Sequence, residues 1–144
     1  MPNPFVHLEL ATDDVAKAKA FYGGLFGWKL TDTPMDYTLF DTGTPPGGGI
    51  FKRPPEVPAC WSVYVGVPDI AATLKKARRL GAQVVRDRTL ISPEHGHFAV
   101  LQDPGGAVLC LHEAPTGHRP ARKPRKARKA PAARKPARRV RRRR

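Results

Sequence analysis

Cysteine is scarce in this chain, with only Cys60 and Cys110, so no disulfide framework is indicated. No apolar run approaches the roughly 18 residues needed to span a bilayer. The start, Met1-Pro2-Asn3-Pro4, lacks the basic residues and apolar stretch of a secretory signal. These absences set the expectation of a reduced, cytoplasmic protein with no membrane partner. Acidic residues are missing from one region altogether. From Arg119 to Arg144 there are 15 Lys and Arg and no Asp or Glu, whereas the chain before it carries 11 basic against 12 acidic residues. The body is therefore near neutral, and the strong positive charge belongs to a tail.

What the body does have is repetition, which constrains a fold more than any single motif. Leu10-Ala11-Thr12-Asp13-Asp14-Val15 and Val65-Gly66-Val67-Pro68-Asp69-Ile70 share one pattern, with a 55-residue offset that places Asp14 on Asp69. Each copy has a short apolar strand, an acidic helix start, an Ala/Lys-rich amphipathic helix and a glycine before the next strand. In the first copy, Val6, Leu8 and Leu10 alternate with Phe5, His7 and Glu9. Asp13 or Asp14 caps a helix to about Tyr22, with Val15, Ala18, Phe21 and Tyr22 as its buried stripe and Gly23-Gly24 as its stop. Strands follow at 28–31 and 37–41, then a Gly/Pro turn region and an edge strand at 49–52. In the second copy, Trp61, Val63, Val65 and Val67 alternate, Asp69 caps a helix to Leu80, and strands follow at 83–86, 98–102 and 107–112. The expected fold class is α+β: two βαβββ modules, about 4–55 and 59–114, form one cupped-sheet domain over 1–115. Each helix covers one face of the sheet and leaves the other concave.

Phe21-Tyr22-Gly23-Gly24-Leu25-Phe26-Gly27-Trp28 resembles the FYxxLFGW segment of the vicinal oxygen chelate superfamily, which includes glyoxalase I, bleomycin-resistance proteins and extradiol dioxygenases. Val6-His7-Leu8-Glu9, Gly47-Gly48-Gly49-Ile50, Gly66-Val67-Pro68-Asp69-Ile70 and Asp103-Pro104-Gly105-Gly106-Ala107 fit the same family, so the resemblance covers roughly 4–114. It implies a glyoxalase-like domain. In members with metal chemistry it also implies a divalent ion held by one ligand from each of four strands, polarising a substrate oxygen. Carried over, those positions fall on His7, on 48–51 where no side chain can ligate, on Ser62 and on Cys110. A catalytic metal needs about three protein ligands. His7 is thus the one candidate metal ligand from the family set, and no cofactor is expected. A divalent metal in a rearranged site using His7, Glu9 and His112 is the alternative, which would make a glyoxalase-type lyase or extradiol-type dioxygenase.

The cavity face offers His7, Glu9, Ser62, Tyr64, Cys110 and His112 as the candidate ligand pocket, a concave site with a few convergent polar groups. The expected function is small-molecule binding in the cleft between the modules, with a homodimer as the expected assembly. Plainer roles are also open for these residues. Glu9 could pair with a rim Lys or Arg, the cysteines could be buried apolar groups, and Trp61 could be core or pocket wall. His95 and His97 lie in a Ser-Pro-Glu-His-Gly-His segment read as a solvated loop. Glycines 47–49 are no phosphate loop, because neither Lys-Ser/Thr nor a helix follows.

The tail, 116–144, is expected to be disordered, since its prolines interrupt helix and its like charges repel. It resembles histone-like basic tails. Its cations are Arg119, Arg122, Lys123, Arg125, Lys126, Arg128, Lys129, Arg134, Lys135, Arg138, Arg139, Arg141, Arg142, Arg143 and Arg144. Without aromatic residues it cannot stack on bases, so the expected partner is nucleic acid bound through phosphates without sequence preference, giving a nucleoid-associated protein. A third reading makes the body a dimerising platform for this tail.

Overall fold

The computed structural model describes residues 2–115. The tail and every nucleic-acid residue named above lie outside the described residues. Ten elements follow in chain order: β1 (Phe5–Thr12), α1 (Val15–Phe26), β2 (Lys29–Thr33), β3 (Tyr37–Asp41), β4 (Gly48–Lys52), β5 (Cys60–Gly66), α2 (Ile70–Arg79), β6 (Gln83–Ser92), β7 (Gly96–Gln102) and β8 (Val108–Glu113). This is βαβββ twice. The strands form one eight-stranded sheet in the order β2-β3-β4-β1-β5-β8-β7-β6.

The repeat becomes a geometric statement at the centre of that sheet. β1 and β5 run antiparallel, with Leu8 opposite Val63, His7 opposite Tyr64 and Glu9 opposite Ser62. Leu8 therefore pairs with the residue 55 positions later, its own counterpart in the second module. The two modules meet about a local two-fold through that pair, and His7, Glu9, Ser62 and Tyr64 surround it.

Each module has its own core beneath its helix. Leu10, Ala18, Phe40 and Ile50 pack under α1; Val67, Ile70, Leu74, Ala99, Leu101 and Leu111 pack under α2. Ile50, Ile70 and Leu74 are fully buried, each contributing about 1.5–3 kcal/mol of transfer free energy. Both helices begin as their sequences suggest. The Asp14 carboxylate accepts from Lys17 N–H and the Asp69 carboxylate from Ala72 N–H, satisfying donors that the first turn leaves free.

Several local expectations are corrected. α1 does not stop at Gly23-Gly24 but runs through both, ending at Gly27 in the left-handed region with φ 66°. Two interior glycines cost about 1 kcal/mol each relative to alanine. The extra turn offsets this by stacking Phe26 and Tyr22 on Trp28, and a Cβ on Gly23 would crowd Leu30 at 3.2 Å. Phe21 is not part of the buried stripe and stays mostly exposed. β4 is not an edge strand: it lies between β3 and β1, and the edges are β2 and β6. β6 is longer than the strand expected at 83–86, continuing to Ser92 and pairing with β7 through several register shifts.

Candidate functional site

Residues opposite one another in a sheet point to the same side. Register therefore assigns the face away from the helices. It carries Tyr37 and Leu39 from β3, Gly49 and Phe51 from β4, His7 and Glu9 from β1, Ser62 and Tyr64 from β5, and Cys110 and His112 from β8. A recess of about 400 Å³ opens beside His7, lined also by Lys29, Thr31, Leu39 and Asp41.

A hydrogen-bonded chain crosses the seam on this face. Tyr64 Oη donates to Glu9 Oε2 at 2.5 Å, and Tyr37 Oη donates to Glu9 Oε1 at 2.9 Å. His7 Nε2 lies 2.7 Å from Tyr37 Oη. The one phenolic proton of Tyr37 is committed to Glu9, so His7 must donate through Nε2–H, which fixes its tautomer. Burial lowers the His7 pKa below the ordinary imidazole value; the Glu9 charge opposes this and His112 adds to it. Burial also raises both phenols well above the usual tyrosine value, and the neighbouring Glu9 charge raises them further. They stay protonated and serve as donors. Burial pushes the Cys110 thiol up to about 11, so it is not a thiolate near neutral pH.

The structure thus brings together His7, Glu9 and Tyr64, and it adds Tyr37, which sequence reasoning missed. Gly49 explains why Tyr37 fits: a Cβ there would fall inside the Tyr37 ring, which also stacks on Phe51 at 6.2 Å between centroids. Glycine at 49 and tyrosine at 37 were both visible in the sequence, but their contact depends on the β3–β4 register. Among the described residues Glu9 pairs with no Lys or Arg; its partners are the two phenols. Ser62 sits opposite Glu9, and Cys110 opposite Tyr64, buried on β8. His112 Nε2 is 2.8 Å from the His95 carbonyl. Cys60 is half-buried, and Trp61 lies on the helix side, edge-on to Tyr22, Trp28 and Phe40.

His95 lies in the exposed turn between β6 and β7, as expected of a solvated loop, whereas His97 belongs to β7 and is half-buried. His95 contacts Ser92 Oγ through Nδ1, while His97 lies on β7 with Nδ1 3.1 Å from Arg88 Nη2. Arg88 pairs with Glu113 at 2.6 Å, and Glu113 Oε2 accepts from Ile70 N–H at the start of α2. This cluster fastens α2 to β8 on the far side of the sheet from the cleft.

The four inherited metal positions can now be tested. His7 Nε2 is engaged with Tyr37, Gly49 has no side chain and its space holds the Tyr37 ring, Ser62 offers a hydroxyl, and Cys110 a protonated thiol. Glu9 has both oxygens hydrogen-bonded. Among the described residues no three His, Cys, Asp or Glu side chains converge as a metal-holding group. In the rearranged set, His7 faces Tyr37, Glu9 lies between the two phenols and His112 faces the His95 carbonyl, so the three are not drawn together.

Two βαβββ modules joined at β1 and β5, with His7, Glu9 and Tyr64 on their shared face, define a glyoxalase and bleomycin-resistance-like fold. The comparisons support its placement in the vicinal oxygen chelate superfamily. Residues 4–43 match the family described as Bleomycin resistance protein-like N-terminal. A protein named Putative glyoxylase CFP32 from Mycobacterium tuberculosis is 40% identical over 110 residues, covering 72% of this chain and 41% of that one. The Anthracycline biosynthesis protein DnrV of Streptomyces peucetius is 28% identical over 124 residues, covering 72% of this chain and 44% of that one. The chain thus spans less than half the length of these curated relatives. Among solved structures, methylmalonyl-CoA epimerase from Mycobacterium tuberculosis shares the fold with a TM-score of 0.58 at 17% identity, covering 76% of this chain and 87% of that one.

Proposed function

We propose that the body binds a small molecule in the cleft between its modules, without the four-ligand metal site of the catalytic members of the superfamily. The observation that carries this reading is the Tyr37–Glu9–Tyr64 bridge with His7 beside it: polar groups from both modules converge on one concave, aromatic-walled face. The match of residues 4–43 to a family described as Bleomycin resistance protein-like and the relative named for anthracycline biosynthesis support a site for organic molecules. Thermal-shift screening of the full chain against a small-molecule library tests the reading. Stabilising hits should be lost in Tyr37→Ala and Glu9→Ala, and hits that persist in both would place binding elsewhere.

The second reading, a metal-dependent lyase or dioxygenase, draws on the relative named as a glyoxylase. The occupied ligand positions weigh against it. For the tail we propose nucleic-acid binding without sequence preference, supported by 15 cations and no acid between 119 and 144. Each neutralised phosphate contributes about −0.9 to the salt slope on duplex DNA. Deleting 119–144 should abolish retention on DNA and leave the unfolding temperature of the body unchanged. We also propose a homodimer, supported by Phe21, Leu25 and Phe26, all more than half exposed on α1. Sedimentation of the full chain should show a dimer, reduced to monomer by Phe26→Glu.

A further inference from the structure

The geometry points to a flat aromatic cation as the ligand class of this cleft, with its positive group against Glu9 between Tyr37 and Tyr64. The inference rests on the cleft-binding reading and adds a sign of charge to it. Glu9 is half-buried, and among the described residues no Lys or Arg forms an ion pair with it. Its hydrogen-bond partners are neutral phenols, which solvate the carboxylate and bring it no opposite charge. A carboxylate has about four acceptor sites, and the two phenols use one on each oxygen. One further lone pair on each oxygen remains for a cationic donor.

The surroundings suit such a group. Tyr37, Phe51 and Tyr64 share the face with Glu9, and aromatic faces attract cations through their quadrupoles. His7 beside them is kept neutral, so it does not repel a positive ligand. Among the described residues the cations of this face lie on its edge strands, and Lys29 reaches the recess beside His7. Lys29 is on β2 and Arg86 on β6, the two edge strands, with three and four strand steps respectively between them and β1. At about 4.8 Å per step that is roughly 14 Å or more measured along the sheet. Lys29 also lies opposite Asp41, and Arg86 lies over the Phe98 ring. Among the described residues the face is therefore negative at its centre, at Glu9, with its cations based on the edge strands. A neutral ligand would leave the Glu9 charge half-desolvated, and an anion would meet it head on.

The test uses three fluorophores of one tricyclic shape: 9-aminoacridine as the cation, 9-anthracenemethanol as the neutral compound and anthracene-9-carboxylate as the anion. Each is titrated into the nuclease-treated full chain at near-physiological salt. The expected order is cation first, about tenfold or more tighter than the neutral compound, with the anion weakest. The basic tail favours the opposite order, so a cation preference cannot come from it. Glu9→Gln keeps the side-chain shape and should bring the cation down to the affinity of the neutral compound, whose own binding changes little. Equal affinity for cation and neutral compound in the unaltered chain would overturn the charge assignment and leave the cleft reading standing, and it needs no variant to fold. A cation preference that survives Glu9→Gln would overturn the role of Glu9. Binding by none of the three would overturn both.

Discussion

Replacing Tyr64 by phenylalanine removes one oxygen from the seam and nothing else. In the folded protein that oxygen donates to Glu9 Oε2, and Tyr64 is only 8% exposed, so water cannot simply take its place. Hydrogen bonds to charged groups are worth about 1.5–3 kcal/mol, and a carboxylate that loses a donor in a half-buried site retains most of that cost. Tyr64→Phe should therefore lower unfolding free energy by about 2 kcal/mol at neutral pH. Alkaline pH gives an independent reading. Burial and then the Glu9 charge hold the Tyr64 phenol well above its ordinary value of 10.0. Above pH 10 the unfolded chain releases this proton while the folded chain keeps it. Stability linked to Tyr64 is thus fully present below pH 10 and lost progressively as pH rises toward the folded value, at about 1.4 kcal/mol per pH unit. Urea unfolding followed by tryptophan fluorescence, at pH 7 and at steps above 10, separates the effects. The variant should start lower and lose stability less steeply. A variant that matches the parent at pH 7 and falls with the same alkaline slope would refute the bridge.

Three other outcomes follow from the same contacts. Gly49→Ala should cost about 2–4 kcal/mol in chemical denaturation, a value typical of overpacking beside a lost polar contact, because its Cβ must displace the Tyr37 ring. Adding Tyr37→Leu should recover part of the loss, and strict additivity would refute the clash. Glu113→Gln should destabilise by about 1–2 kcal/mol at pH 7, since Glu113 holds both Arg88 and the first N–H of α2. The Arg88 hydrogen bonds hold the Glu113 carboxyl below its ordinary 4.5, so its contribution is present above that pH and lost as pH falls through the depressed value; acid titration of stability should be shallower in the variant. Gly27→Ala should cost about 1 kcal/mol in thermal unfolding, because φ 66° strains any residue with a Cβ.

The seam was readable from the chain because a 55-residue repeat with acidic helix starts requires matching modules, and matching modules meet most simply about a two-fold. His7, Glu9 and Tyr64 follow from strand alternation once β1 and β5 are recognised. Tyr37 does not, since its place over Gly49 depends on pairing between strands separated by a long turn region, and local pattern carries no register. Gly23-Gly24 misled for the opposite reason: the local preference to stop a helix was overridden by aromatic stacking of Phe26 and Tyr22 on Trp28. Glu113 and His97 were hidden as ordinary strand ends, because their roles arise only where β8, β7 and the start of α2 come together.

Elemental analysis of the full chain after equilibration with Zn, Ni, Mn and Fe(II), alongside His7→Ala, bears most directly on a cleft whose His7 and Glu9 are held by tyrosines and not by an ion. The account predicts no stoichiometric metal that depends on His7. One ion per chain, lost on that substitution, would contradict it and return the site to metal chemistry.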